Sequence, residues 1–125
     1  MTPQQKIYWL ILNKHNSWND IPLLEYPCEV TEDMVEAYES MRDMDAANDI
    51  RCGQVGTNIE PEWSRNFETK SVAYQLPDNT WVGWTYYYGG GKHANPECID
   101  WITDSYELSC VEEEKVVIIQ TFEKV

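Results

Sequence analysis

Four carboxylates, Glu32, Glu36, Glu39 and Asp43, recur at three- and four-residue spacing. On a helix such residues share one face, roughly 5–6 Å from one another. A row of that kind resembles the charge spacing of a nucleic-acid backbone, and it repels itself unless something basic compensates it. A helix with no such task usually carries Lys or Arg four residues away for local pairing, whereas here only Arg42 interrupts. A solvated acidic face is the plainer account of this stripe. The sharper one is an anionic binding surface, extended by Asp20, Glu25 and Glu29 before it and by Asp45, Asp49, Glu60 and Glu62 after it.

A second pattern runs from Trp81 to His93, Trp-Val-Gly-Trp-Thr-Tyr-Tyr-Tyr-Gly-Gly-Gly-Lys-His. In a strand, side chains alternate, so Trp84, Tyr86 and Tyr88 face one way and Trp81, Thr85 and Tyr87 the other. A strand aromatic on both faces is either buried twice or displays rings outward, and displayed Tyr and Trp are favoured interface anchors. Ordinary packing beneath helices is the simpler reading. As an interface, Tyr86, Tyr87, Tyr88 and Lys92 supply contact area and orientation.

Other constellations carry less. Gly89-Gly90-Gly91-Lys92 is not a phosphate-binding P-loop, because the first glycine of that motif is missing and Lys92 is followed by His93 instead of Ser or Thr. The glycines read better as a loop needing positive φ. His93, Cys98 and Asp100 lie within eight residues, but no family-type motif surrounds Cys98 and a thiolate pair needs the fold to bring its members together. The only histidines are His15 and His93, and Cys28, Cys52, Cys98 and Cys110 are spaced like no zinc or redox motif. The expectation is no catalytic centre, no metal and no cofactor, with the cysteines as free thiols packed like small apolar groups.

These residues sit in a chain of 125 residues with a net charge of −13 and 13% aromatics. Its length suits one domain, its aromatic content argues for a folded state, and about two-thirds of its unfolded surface can be buried. The charge is uneven. Residues 17–62 carry twelve carboxylates against Arg42 and Arg51, whereas residues 1–16 carry only Lys6 and Lys14. Direct nucleic-acid binding needs clustered Lys and Arg and is disfavoured, as is an anionic membrane surface. Basic proteins are steered toward such a chain. The apolar run Ile7–Leu12 is too short to span a bilayer and no cleavage site follows it, so a cytoplasmic protein is expected.

The elements that must position these groups are legible in outline. Thr2, Pro3 and Gln5 start a helix that fades near residues 13–16. Residues 17–30 read as an ordered loop anchored by Trp18, Ile21, Leu23, Leu24 and Tyr26. Thr31 caps a second helix from Glu32 to about Ala47, with Met34, Ala37, Tyr38, Met41 and Met44 on its buried face. From Asn66 the period becomes strand-like, and Pro77-Asp78-Asn79-Thr80 turns the chain into the aromatic strand. A short helix near Pro96, a strand around Tyr106–Cys110 and a final strand Lys115–Glu123 complete the reading. The fold class is α+β, two N-terminal helices followed by a mainly antiparallel four-stranded sheet with a short helix between strands two and three. One domain is expected, helical and acidic over 1–62 and sheet-forming over 63–125.

The stretch Asn66–Trp101, containing ETKSVAYQLPDNTWVGWTYYYGGGKHANPECIDW, resembles a segment of small uncharacterised phage and plasmid proteins. In size, acidity and organisation the chain is similar to small counter-defence proteins of mobile elements, the anti-CRISPR and anti-restriction inhibitors. The resemblance implies an inhibitor that places carboxylates where nucleic-acid phosphates would lie, in the cytoplasm of a host cell. The expected partner is a basic protein or nucleoprotein complex, a nuclease or surveillance complex, met through Glu32, Glu36, Glu39, Asp43, Tyr86, Tyr87, Tyr88 and Lys92. An immunity protein or antitoxin that neutralises one basic toxin is the alternative, and a small enzyme a third.

Overall fold

Thr2 and Gln5 open the fold with a complete capping box. The Gln5 amide donates to Thr2 Oγ1 at 3.2 Å and the Thr2 amide donates to Gln5 Oε1 at 2.8 Å. The computed structural model describes residues 1–27, 36, 38–40 and 44–125. Helix α1 (Pro3–Trp18) buries Ile7, Trp9, Leu10, Ile11 and Leu12. It outruns the end expected from sequence because Asn19 satisfies its last turn: both its backbone N–H and its side-chain amide donate to the His15 carbonyl. Of the expected loop anchors, Leu24 and Tyr26 pack against the core, while Trp18, Ile21 and Leu23 are exposed.

The expected second helix lies partly outside the described residues. Glu36 and Tyr38–Ser40 are helical, and α2 (Met44–Arg51) continues past Ala47. Ala46 and Ile50, four residues apart, supply its buried stripe, and Met44, expected inside, is exposed. Gly53 follows α2 at φ +75°, and a Cβ there would lie 2.5 Å from Val72 Cβ, so the close approach to the sheet requires glycine.

Four antiparallel strands lie in the order β1 (Val55–Gly56), β2 (Glu68–Gln75), β3 (Trp81–Tyr88), β4 (Tyr106–Leu108). The hairpin of β2 and β3 is eight residues long, from Glu68 opposite Tyr88 to Gln75 opposite Trp81. Its turn uses Asn79 at φ 69° and the Asp78 carboxylate, which accepts from the Thr80 amide and hydroxyl. Val72, Val82 and Trp84 turn toward the helices and join Ile7, Leu10, Ile11, Ile50 and Trp101 in one core. Trp84 is fully buried; its Nε1 donates to the Arg51 carbonyl at 2.9 Å and its ring packs on Trp101 with centroids 5.1 Å apart. A 3₁₀ turn, Pro96–Cys98, links β3 to β4, in the place where a short helix was expected.

The α+β class and the antiparallel four-stranded sheet are as expected, but one strand differs. Residues 115–123 form no strand, and Val116, Val117, Ile118 and Ile119 are exposed. The neighbour available to them, β4, is three residues long and offers little edge to extend. The outer position is taken instead by Val55–Gly56, from the half read as helical. Cys52, Cys98 and Cys110 are free but exposed, not packed inside as expected; Cys28 lies outside the described residues. Among the described residues no helix is long and apolar enough to cross a membrane.

Candidate functional site

Strand β3 divides its tyrosines as strand alternation requires. Tyr86 and Tyr88 turn toward the helix-bearing face and stack with centroids 5.4 Å apart and planes 14° from parallel. The β2–β3 register sets Lys70 opposite Tyr86, and its ammonium lies 5.3 Å from the Tyr86 centroid and 5.7 Å from that of Tyr88. From the end of α2, the Arg51 guanidinium stands 4.9 Å from the Tyr86 centroid. Arg51 is nearly buried, and it also donates to the Tyr87 carbonyl at 2.9 Å and to Asn48 Oδ1 at 3.2 Å. Two cations thus lie within reach of the half-buried Tyr86 ring, and one of them also of Tyr88, an arrangement that attracts each charge to a π face.

The Cys52 sulfur and the Tyr86 hydroxyl lie 3.7 Å apart, within hydrogen-bonding reach. That contact first, which favours the neutral phenol, and burial after it hold Tyr86 above its ordinary value of 10.0, while the Arg51 charge partly offsets the rise. Tyr87 faces the other side of the sheet. Burial lifts its phenol first, and the negative charges of Glu62 and Asp104 add to the effect. The three tyrosines therefore serve two surfaces. Lys92 is exposed beyond Gly89, Gly90 and Gly91, which have φ of +71°, +87° and +94°. Those angles account for the glycine run by backbone geometry alone.

Of the carboxylate stripe, Glu36 and Glu39 are exposed on helical residues, with Tyr38 between them turned inward against Tyr8 at 4.7 Å. Glu32 and Asp43 lie outside the described residues. Among the described residues neither Glu36 nor Glu39 makes a contact with the tyrosine cluster. Asp100, noted beside His93 and Cys98, is spent on a turn. It accepts from the Ile102 and Thr103 amides and from the Thr103 hydroxyl at 2.5 Å, and these bonds hold its carboxyl below the ordinary 3.8.

Two concavities flank the sheet. A cleft of about 350 Å³ between α1, α2 and the hairpin is floored by Trp9, Leu10, Ile50 and Leu76. Its polar rim is committed to the protein itself: Asn13 Oδ1 accepts from the Leu24 amide, Lys14 pairs with Asp49, and Gln54 Oε1 accepts from the Gln75 amide. A smaller groove of about 230 Å³ on the opposite face is lined mainly by apolar groups, among them Val55, Ile59, Trp81 and Leu108. Among the described residues no group of three or more His, Cys, Asp or Glu side chains is placed to hold a metal ion.

Sequence reasoning missed Lys70, Arg51 and Cys52. Lys70 was within reach of it, because counting outward from the Pro77–Thr80 turn sets Lys70 across from Tyr86. Arg51 and Cys52 come from a helix end more than thirty residues away, and no spacing in the chain announces that approach. No family model, curated protein or solved structure matches this chain.

Proposed function

We propose that the protein is an inhibitory binding protein that occupies the basic nucleic-acid channel of a nuclease or surveillance complex, acting in the cytoplasm of a host cell. One observation carries the reading: exposed carboxylates crowd the described part of residues 36–62, while two of the chain's cations, Lys6 and Arg51, are buried in the fold. Lys6 is buried against Glu107, Lys14 pairs with Asp49 and approaches the Trp18 ring, Arg51 is nearly buried, and Lys70 lies over Tyr86 and Tyr88. Among the described residues, Glu36, Glu39, Asp45, Glu60 and Glu62 are exposed, and the ion pairs are those of Glu107 and Asp49. Arg65, Lys70, Lys92, Lys115 and Lys124 are exposed elsewhere, so the anionic surface offered to a partner is that of the region 36–62 and not of the whole molecule.

Such a surface raises the encounter rate with a basic cleft roughly 10- to 1,000-fold at low ionic strength. The mechanism is competitive occlusion. Glu32, Glu36, Glu39 and Asp43 stand in for phosphates, and Tyr86, Tyr87, Tyr88 and Lys92 supply contact area and orientation. Because the attraction is between solvated charges, salt weakens it.

The test is affinity capture from bacterial lysate at low and high salt, with a Glu36→Lys, Glu39→Lys, Asp43→Lys triple variant alongside. Recovery of a nucleic-acid-processing complex that is lost with salt and with the triple variant supports occlusion by the acidic face. A partner unaffected by either sinks it, and retention by the triple variant alone moves the contact to the aromatic strand. Capture of a single small basic toxin favours the immunity-protein reading.

A further inference from the structure

Residues 109–125 follow β4 and form no strand themselves. Val116, Val117, Ile118, Ile119 and Phe122 stand 93, 75, 85, 82 and 85% exposed. Five large apolar side chains in so short a β-branched stretch form the kind of segment that folded proteins pair or cover. The sequence of this segment also specifies what covers it. Glu114-Lys115-Val116-Val117-Ile118-Ile119-Gln120-Thr121-Phe122-Glu123-Lys124 is complementary to itself read backwards.

We infer that this segment is a homodimerisation strand, pairing antiparallel with the same segment of a second copy about a two-fold axis at Ile119. In that register Glu114 faces the partner's Lys124, Lys115 the partner's Glu123, Val116 the partner's Phe122 and Val117 the partner's Thr121. Ile118 faces the partner's Gln120, and the two Ile119 side chains meet at the axis. Four opposite-charge pairs flank a centre of β-branched and aromatic pairs, the combinations that stabilise directly opposed positions in a ribbon.

Competing registers are worse for identifiable reasons. A shift of the pairing by two residues one way sets Glu113 opposite Glu123 and Glu114 opposite Phe122. The same shift the other way sets Glu123 opposite Val117 and Lys124 opposite Val116. An in-register parallel pairing sets every glutamate against a glutamate and every lysine against a lysine. The charges at both ends therefore select orientation and register together, and the contact is isologous, closing at two copies.

Sedimentation equilibrium on the full chain and its variants tests this. The wild type dimerises. Lys115→Glu and Glu123→Lys each turn two attractive pairs into two repulsive ones and weaken the dimer by roughly tenfold or more. The Lys115→Glu, Glu123→Lys double variant regains it, and an equimolar mixture of the two single variants forms a heterodimer that neither forms alone. Ile119→Lys, which brings two ammonium groups together at the axis, gives a monomer. The near-ultraviolet signal of Trp84 and Trp101 stays unchanged in all of them, because the substituted side chains do not contact the core. A wild type that is monomeric at every concentration overturns the inference. So do single reversals that associate as tightly as the wild type, and an assembly that grows past two copies.

Discussion

Lys70 lies directly across the hairpin from Tyr86, and its ammonium is almost equidistant from the Tyr86 and Tyr88 rings, at 5.3 and 5.7 Å. One exposed cation therefore ties two stacked rings to the neighbouring strand. The pairing follows from register: it depends on the Pro77–Thr80 turn holding Gln75 opposite Trp81.

Replacing Lys70 with Met keeps the aliphatic stem and removes the charge. The hairpin is expected to lose about 1 kcal/mol, the scale of a solvent-exposed cation–π contact. Urea unfolding followed by tryptophan fluorescence measures it, and an unchanged midpoint would show that the ammonium contributes nothing over these rings.

Lys6 and Glu107 predict an asymmetry. Their ion pair spans 3.1 Å, yet the Lys6 side chain is 8% exposed and that of Glu107 60%. Glu107→Ala strands a buried ammonium with Thr80 Oγ1 as its remaining partner and is expected to cost about 2 kcal/mol. Lys6→Met leaves the carboxylate free to hydrate and should cost less than about 1 kcal/mol. Equal losses in the two variants would contradict this account.

Asp78 and Asp100 predict the acid limb. Both carboxyls titrate below the ordinary 3.8, Asp78 chiefly through the Thr80 hydroxyl and Asp100 chiefly through the Thr103 hydroxyl. A carboxyl depressed by folding adds stability that is complete above its unfolded value and disappears as pH falls through its folded one. As pH falls below about 4 the wild type therefore loses a contribution that an Asp78→Asn, Asp100→Asn variant never had. Unfolding midpoints across that range should fall less steeply for the variant, and parallel curves would refute the assignment.

Two glycines predict graded damage. A Cβ on Gly83 would meet Leu108 Cδ1 at 2.6 Å and Tyr106 Cε2 at 2.8 Å, side-chain atoms on a short edge strand that can move. Gly83→Ala is expected to cost about 2 kcal/mol. A Cβ on Gly53 would meet the buried Val72 Cβ at 2.5 Å, at a φ of +75° that disfavours alanine as well. Gly53→Ala is therefore the worse of the two, at about 3 kcal/mol. Thermal unfolding of the two variants ranks them, and the reverse order would be fatal to the argument.

Features governed by neighbours in sequence were legible from sequence. The Thr2–Gln5 capping box, the 77–80 turn, the alternation of Tyr86 and Tyr88 with Tyr87, and the positive-φ glycines all follow from local chemistry. Where distant contacts decide, reading failed. Val116–Ile119 has the composition of a buried strand, but β propensity needs an edge to pair with, and three-residue β4 scarcely offers one. Val55–Gly56 became a strand because Gly53 lets the chain drop onto Val72, and two residues are too few to show a period. The candidate site divides likewise. Glu36 and Glu39 are exposed as their spacing implied, whereas the cations around Tyr86 arise from tertiary approach.

The burial of Lys6 and Arg51 and the pairing of Lys14 give these cations and the exposed carboxylates different evolutionary freedom. Lys6, Lys14 and Arg51 are held by contacts within the fold, so changing them disturbs the scaffold. An exposed carboxylate such as Glu36, Glu39 or Glu60 makes no such contact among the described residues, and its replacement should shift stability by about 0.5 kcal/mol or less. The outer charge pattern can then drift, residue by residue, to follow a changing counterpart, while the frame that carries it stays fixed.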